Sequence, residues 1–183
     1  MLEITIPSTE VYDHVKNEFR VIKGQTLVLE HSLVSLQKWE AIHHKPFLTN
    51  DEKTIQETRS YIQCMTITNN VDPEIYNYIT ESNMRDVNAY IGDSMTATHI
   101  NNRQPEGASP KPKEVLTAEV IYYYMIALQI PFECKKWHLN QLLTLINVCS
   151  IKNEPPKKMS KSALMKRNSS LNAARRAALH TKG

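Results

Sequence analysis

Glycine is scarce in this chain. Its 183 residues contain only Gly24, Gly92, Gly107 and Gly183. Average usage of roughly 7% would give about 13. A dinucleotide-binding fingerprint needs three closely spaced glycines and a phosphate-cradling loop needs two, so isolated ones build neither. Cysteine is scarce as well, and odd in number: Cys64, Cys134 and Cys149. Three separated thiols in apolar settings are no disulfide framework; they predict a reducing compartment. No apolar run approaches the ~18 residues that cross a bilayer. The opening MLEITIPSTE lacks a basic region followed by an apolar one, which predicts no secretory leader. Acid is missing from one end: between residues 152 and 183 the only carboxylate side chain is Glu154.

What is present suffices for a core. A hydrophobic fraction of 41% excludes wholesale disorder. Leu2, Ile4 and Ile6 alternate with polar neighbours, which predicts a strand that Pro7 stops. Phe19 and Val21, then Thr26 to Leu29, predict two more strands, with Lys23-Gly24 as the turn between them. Such short strands form a small antiparallel sheet that must pack on something.

Helical spacing follows. Leu33, Leu36 and Trp39 predict a helix ended by Pro46. Thr49-Asn50-Asp51 reads as the cap of the next, with Ile55, Thr58, Tyr61, Ile62 and Met65 on its inner face. Asp72-Pro73 opens another, and Ser82-Asn83 caps a further one that Gly92 closes. Residues 99–113 read as a loop. Val120 to Ile130 is apolar all round, which predicts a buried helix. A last core helix spans Glu133 to Ile151, with Trp137 and Leu142 on its stripe. Asn153-Glu154-Pro155-Pro156 breaks it.

The formal net charge of +3 conceals a split. Residues 152–183 hold nine basic side chains and one acid, a balance of +8, which leaves −5 on the first 151 residues. An acidic body therefore carries a basic C-terminal arm. Its cations include Lys157, Lys158, Lys161, Lys166, Arg167, Arg175 and Arg176. The arm has no aromatic side chain, so it lacks the stacking platform of base-reading proteins. Leu171 with Ala173, Ala174, Ala177 and Ala178 gives it a slim apolar face suited to a protein groove. Protein docking ranks above nucleic acid for these cations. The bland alternative is a solvated terminal helix.

Other chemistry is thin. Cys134 and His138, four apart on the expected helix, could share a zinc ion, but no paired spacing supplies two more ligands. His43 and His44 diverge on any regular element. Cys64 lacks a flanking glycine or small-residue elbow to activate it, and Asp51-Glu52 read as helix capping. The triplet Tyr122-Tyr123-Tyr124 reads as packing. The expectation is no catalytic residue, no cofactor, no metal site and no enzyme.

Three stretches together carry a resemblance. They are LVLEHSLVSLQKWEAIHHKPF (27–47), IPFECKKWHLNQLLTLI (130–146) and PPKKMSKSALMKRNSSLNAARR (155–176). They resemble a family of small proteins from the tail genes of tailed bacteriophages, the tail assembly chaperones. The resemblance implies a non-enzymatic protein that binds the tape measure protein during tail morphogenesis, in the cytoplasm of the infected bacterial host. It also allows self-association along that client. The alternatives are a structural tail or connector protein retained in the virion, or a basic-armed nucleic-acid-binding protein of the phage. The expected fold is α+β, mostly α. A small antiparallel sheet (1–30) packs on a helical domain (31–151), and a basic arm (152–183) follows.

Overall fold

The structure is a computed structural model that describes residues 1–14, 17–100, 115–153 and 161–181. The fold is α+β and mostly α, with a small antiparallel sheet region first and helices after it. The chain forms two compact units, Met1–Ile151 and Lys152–Gly183.

The sheet region has four strands where the sequence predicts three. β1 (Leu2–Ile6) pairs with β4 (Gln25–Leu29), and β2 (Thr9–Asp13) pairs with β3 (Glu18–Ile22). Ile6 lies opposite Gln25 and Thr9 opposite Ile22, so one two-stranded ribbon is interrupted at Pro7-Ser8 and Lys23-Gly24. Lys23-Gly24 is therefore not a hairpin turn but one side of a break in the ribbon. The break also changes phase. Ile4, Ile6, Leu27 and Leu29 are buried before it, whereas Thr9, Val11 and Asp13 are the less exposed positions beyond it.

Gly24 is required at the break. A Cβ there would lie 2.7 Å from both the Ile6 carbonyl oxygen and the Ser8 nitrogen, which are backbone atoms. Gly24→Ala is expected to lower stability by about 1–3 kcal/mol, the usual cost of overpacking. Urea unfolding checks it, and an unchanged midpoint would show that the ribbon yields at the break.

Helix α1 (Leu33–His43) begins at Ser32 and ends with His44 in the left-handed region. Its apolar residues serve two cores. Trp39 joins Ile4, Ile6, Leu27, Leu29, Tyr61, Ile62, Met65, Ile75, Val87 and Tyr90. Leu33 and Leu36 join Ala118, Ile121, Met125, Ile130, Leu139, Leu142 and Ile146. Phe47 packs against both clusters and stacks on Tyr61 at 3.8 Å.

Helix α2 (Ile55–Met65) is capped by Thr54, not by 49–51. The Thr54 hydroxyl accepts from Glu57 N, and the Glu57 carboxylate accepts from Thr54 N at 2.8 Å. This reciprocal box satisfies two donors that the first turn leaves open. Lys45, 2.8 Å from Glu57, is the main reason its carboxyl is held down to about 2, with the Thr54 bonds adding to it. Ile55, expected to face inward, is exposed.

Asp72 does cap the next element, accepting from Glu74 N, but Pro73–Tyr78 winds as a 3₁₀ helix. Helix α3 (Glu81–Gly92) is capped by Thr80 rather than by Ser82-Asn83. Gly92 is its last residue, and Asp93 follows with ordinary negative φ, so the expected left-handed glycine cap is not used.

Helix α4 (Ala118–Ala127) buries Ala118, Ile121 and Met125. It is not buried all round: Tyr123 and Ile126 stand 65% and 63% exposed on the other side. The single helix expected from Glu133 is divided. Phe132–Lys136 is a 3₁₀ helix and α5 is Leu139–Asn153. Trp137 falls between them and is 41% exposed, so it does not hold the core as expected, while Leu142 is fully buried. Among the described residues, no helix is long and apolar enough to cross a membrane.

Candidate partner-binding surfaces

The C-terminal unit contributes α6 (Lys161–Leu179). No residue of this helix is buried, and Leu164, Met165, Leu171 and Leu179 are all exposed. It presents Lys161, Lys166, Arg167, Arg175 and Arg176, with no acid between them. Lys157 and Lys158, the other two expected contacts, lie outside the described residues. At 100° per residue, Leu164, Leu171, Ala174 and Ala178 fall on one side of the helix. Arg167 and Arg175 fall within or beside that stripe; Lys166 and Arg176 point elsewhere. A helix of this length draws most of its stability from packing its apolar face.

The outer half of the β-ribbon is a second surface, and sequence reasoning missed it because β2 was not foreseen. Tyr12 lies opposite Phe19 and Glu10 opposite Val21, so these four share a face. Phe19 is 73% exposed, Val21 61% and Tyr12 38%. The Tyr12 ring meets Phe19 edge-on at 5.1 Å and His14 at 5.0 Å. Its hydroxyl donates to Asn17 Oδ1 at 3.1 Å. The opposite face is held to the body, where Arg20 pairs with Glu74 and Ile22 is buried.

The buried Glu40 carboxylate is committed to structure. Glu40, on α1, accepts from Phe47 N at 2.9 Å and from Ala118 N at 2.7 Å. It ties α1 to the segment after it and to the first turn of α4. A cleft of about 390 Å³ beside it is lined by Ala41, His44, Lys45, Pro46, Thr117 and Glu119 as well. Nothing in the spacing of Glu40 marked it, because its two donors are remote in sequence.

His31 and His138 meet with ring centroids 4.9 Å apart. The Tyr61 hydroxyl lies 2.7 Å from His31 Nδ1. His138 Nε2 donates to the Tyr90 carbonyl at 3.0 Å, while its Nδ1 is buried without a partner. Burial first, then His138, lowers His31 to about 4. Burial also lowers His138, against the smaller opposing effects of the Tyr90 bond and Asp93. Cys134 is not on a helix with His138, because the chain breaks between them. Among the described residues, no group of three or more His, Cys, Asp or Glu is placed to hold a metal.

The other candidates also separate. His43 stacks on Trp39 and contacts Ser60 Oγ at 2.9 Å, while His44 caps α1. Cys64 is buried, and that burial pushes its thiol up, away from a reactive thiolate. No protein-family model, curated protein or solved structure matches this chain.

Proposed function

We propose that the chain is a non-enzymatic binding protein that works by docking helices. Within that class we read it as a bacteriophage tail assembly chaperone, which holds the tape measure protein in the host cytoplasm during tail morphogenesis. The observation that carries the docking role is α6: nineteen helical residues with no buried side chain, five cations and no acid. The phage assignment rests on the resemblance of the three sequence stretches. A long helical client would meet many copies, and linkage between them raises overall avidity without new contacts.

Deleting residues 155–183 is expected to leave the body folded, because residues 1–151 form their own compact unit. The thermal transition should be kept, and capture of co-expressed tape measure protein should fall about tenfold or more. Unchanged capture would remove the arm from the binding surface. If the full chain captures no tape measure protein at all, the chaperone reading is lost. Stoichiometric recovery of the chain in purified particles would instead favour a structural tail or connector protein. A mobility shift on DNA that falls steeply with salt would favour the nucleic-acid reading.

A further inference from the structure

We propose that the outward face of the β-ribbon, formed by Tyr12, Phe19 and Val21 with Glu10 beside them, receives α6 of a second copy of this chain. The inference does not depend on the identity of the client.

The two surfaces complement each other in three respects. The ribbon offers side chains that are 38–73% exposed, with Tyr12 and Phe19 in ring contact, and α6 offers an apolar stripe with no buried residue. Their dimensions are of the same order. Leu164 and Leu171 are about 10 Å apart along a helix at 1.5 Å per residue. The Tyr12–Phe19 rung is about 7 Å from the Glu10–Val21 rung at 3.4 Å per residue. The charges also agree. Arg167 and Arg175 lie within or beside the helical stripe, and Glu10 lies on the ribbon face.

Charge also decides between pairings. The arm carries +8 and the body −5. Arm against arm sets five cations of α6 on five, and body against body sets acid on acid. Like charges brought together across an interface oppose association. Arm on body is the attractive combination, and it joins unlike surfaces. It closes if two copies exchange arms and propagates if they do not. Lys166 and Arg176, off the stripe, stay available to a client.

The test is sedimentation velocity of the full chain over a concentration series, at about 50 mM and about 500 mM salt, where screening differs strongly. Wild type is expected to self-associate with concentration, and less so at high salt. A ribbon variant, Phe19→Ser with Val21→Thr, and an arm variant, Arg167→Glu with Arg175→Glu, should each weaken association about tenfold or more. Both change exposed positions, Thr suits a strand and Glu a helix, and circular dichroism verifies each fold. Mixing the two variants should restore a heterodimer, since one retains a sound arm and the other a sound ribbon. Wild-type association by the ribbon variant overturns the proposal. So does a wild type that is monomeric at every concentration, the result expected if the arm sits on its own ribbon. A mixture of folded variants that stays monomeric overturns it as well.

Discussion

Acidification from pH 7.5 to about 4.5 is expected to destabilise the body by about 2–3 kcal/mol through His31 and His138 alone. The sign follows from proton binding. His31 takes up its proton near 6.5 in the unfolded chain but only near about 4 in the fold. Between those values the unfolded chain binds more protons, so stability falls as pH falls. The shift is worth about 3 kcal/mol once pH is below both values. His138 is lowered too and adds in the same direction.

The geometry explains why neither ring accepts charge readily. His138 Nε2 already donates to the Tyr90 carbonyl, so a second proton must go on Nδ1, which has no acceptor nearby. His31 Nδ1 faces the Tyr61 hydroxyl, a phenol that burial keeps neutral. A neutral phenol can share a hydrogen bond with that nitrogen but brings no negative charge to offset a cation. The surrounding charges give little compensation. Asp93 favours the His138 cation, whereas the Met1 amino group opposes it, and His138 itself opposes charge on His31. Urea midpoints at pH 7.5, 6.5, 5.5 and about 4.5 measure the effect. His138→Gln retains a donor for Tyr90 without titrating, so it should flatten part of the slope; His31→Phe should flatten more. A slope that survives both changes would assign the acid response to carboxylates instead.

Replacing Glu40 by Ala is expected to cost about 3 kcal/mol or more. Glu40 is 9% exposed, and its carboxylate accepts two backbone N–H groups, from Phe47 and Ala118. Removing it strands two donors, Ala118 N in the interior and Phe47 N partly buried, at roughly 1–3 kcal/mol each. The Ala118 bond also places negative charge at the positive end of the α4 dipole. Thr117 caps the same helix by accepting from Val120 N at 3.5 Å, and the Ala118 N–H goes to Glu40. Glu40→Gln should cost less than Ala yet more than nothing, because an amide offers one acceptor oxygen where two are used. The order Glu, Gln, Ala in urea midpoints checks the account. Equal stability of Gln and wild type would mean that one of the two bonds carries no weight.

How far the fold could be read in the sequence depended on the range of the cause. The β1 alternation, the buried face of α1, the Tyr61, Ile62 and Met65 part of that of α2, and the Asp72 cap are local patterns, and they were legible. Cap positions slipped where several cap-competent residues stood together. Residues 49–54 offer Thr49, Asn50, Asp51 and Thr54, and Thr54 wins because Glu57 completes its box. The run from Val120 looked buried all round because hydropathy alone does not say how many sides of a helix find neighbours. Tyr123 and Ile126 stay largely exposed. Of the expected contact residues, the five on α6 stand exposed together on one helix. The aromatic ribbon face was invisible because β2, TEVYD, has few apolar residues and its pairing partner is set by the whole ribbon.

The sequence by itself determined the classes of chemistry that four isolated glycines forbid, the α+β order of elements, and the division of charge into −5 and +8. These depend on composition and on neighbours a few residues away. Only the tertiary structure decided which face of the ribbon points outward. Alternation continued from Ile4 and Ile6 would turn Tyr12 inward. The break at Pro7-Ser8, accommodated by Gly24 across the ribbon, shifts the phase by one residue and turns Tyr12 out. It likewise decided that Glu40 meets Ala118 and that His31 meets His138. Such meetings join residues far apart in the chain, and packing brings them together rather than any local pattern.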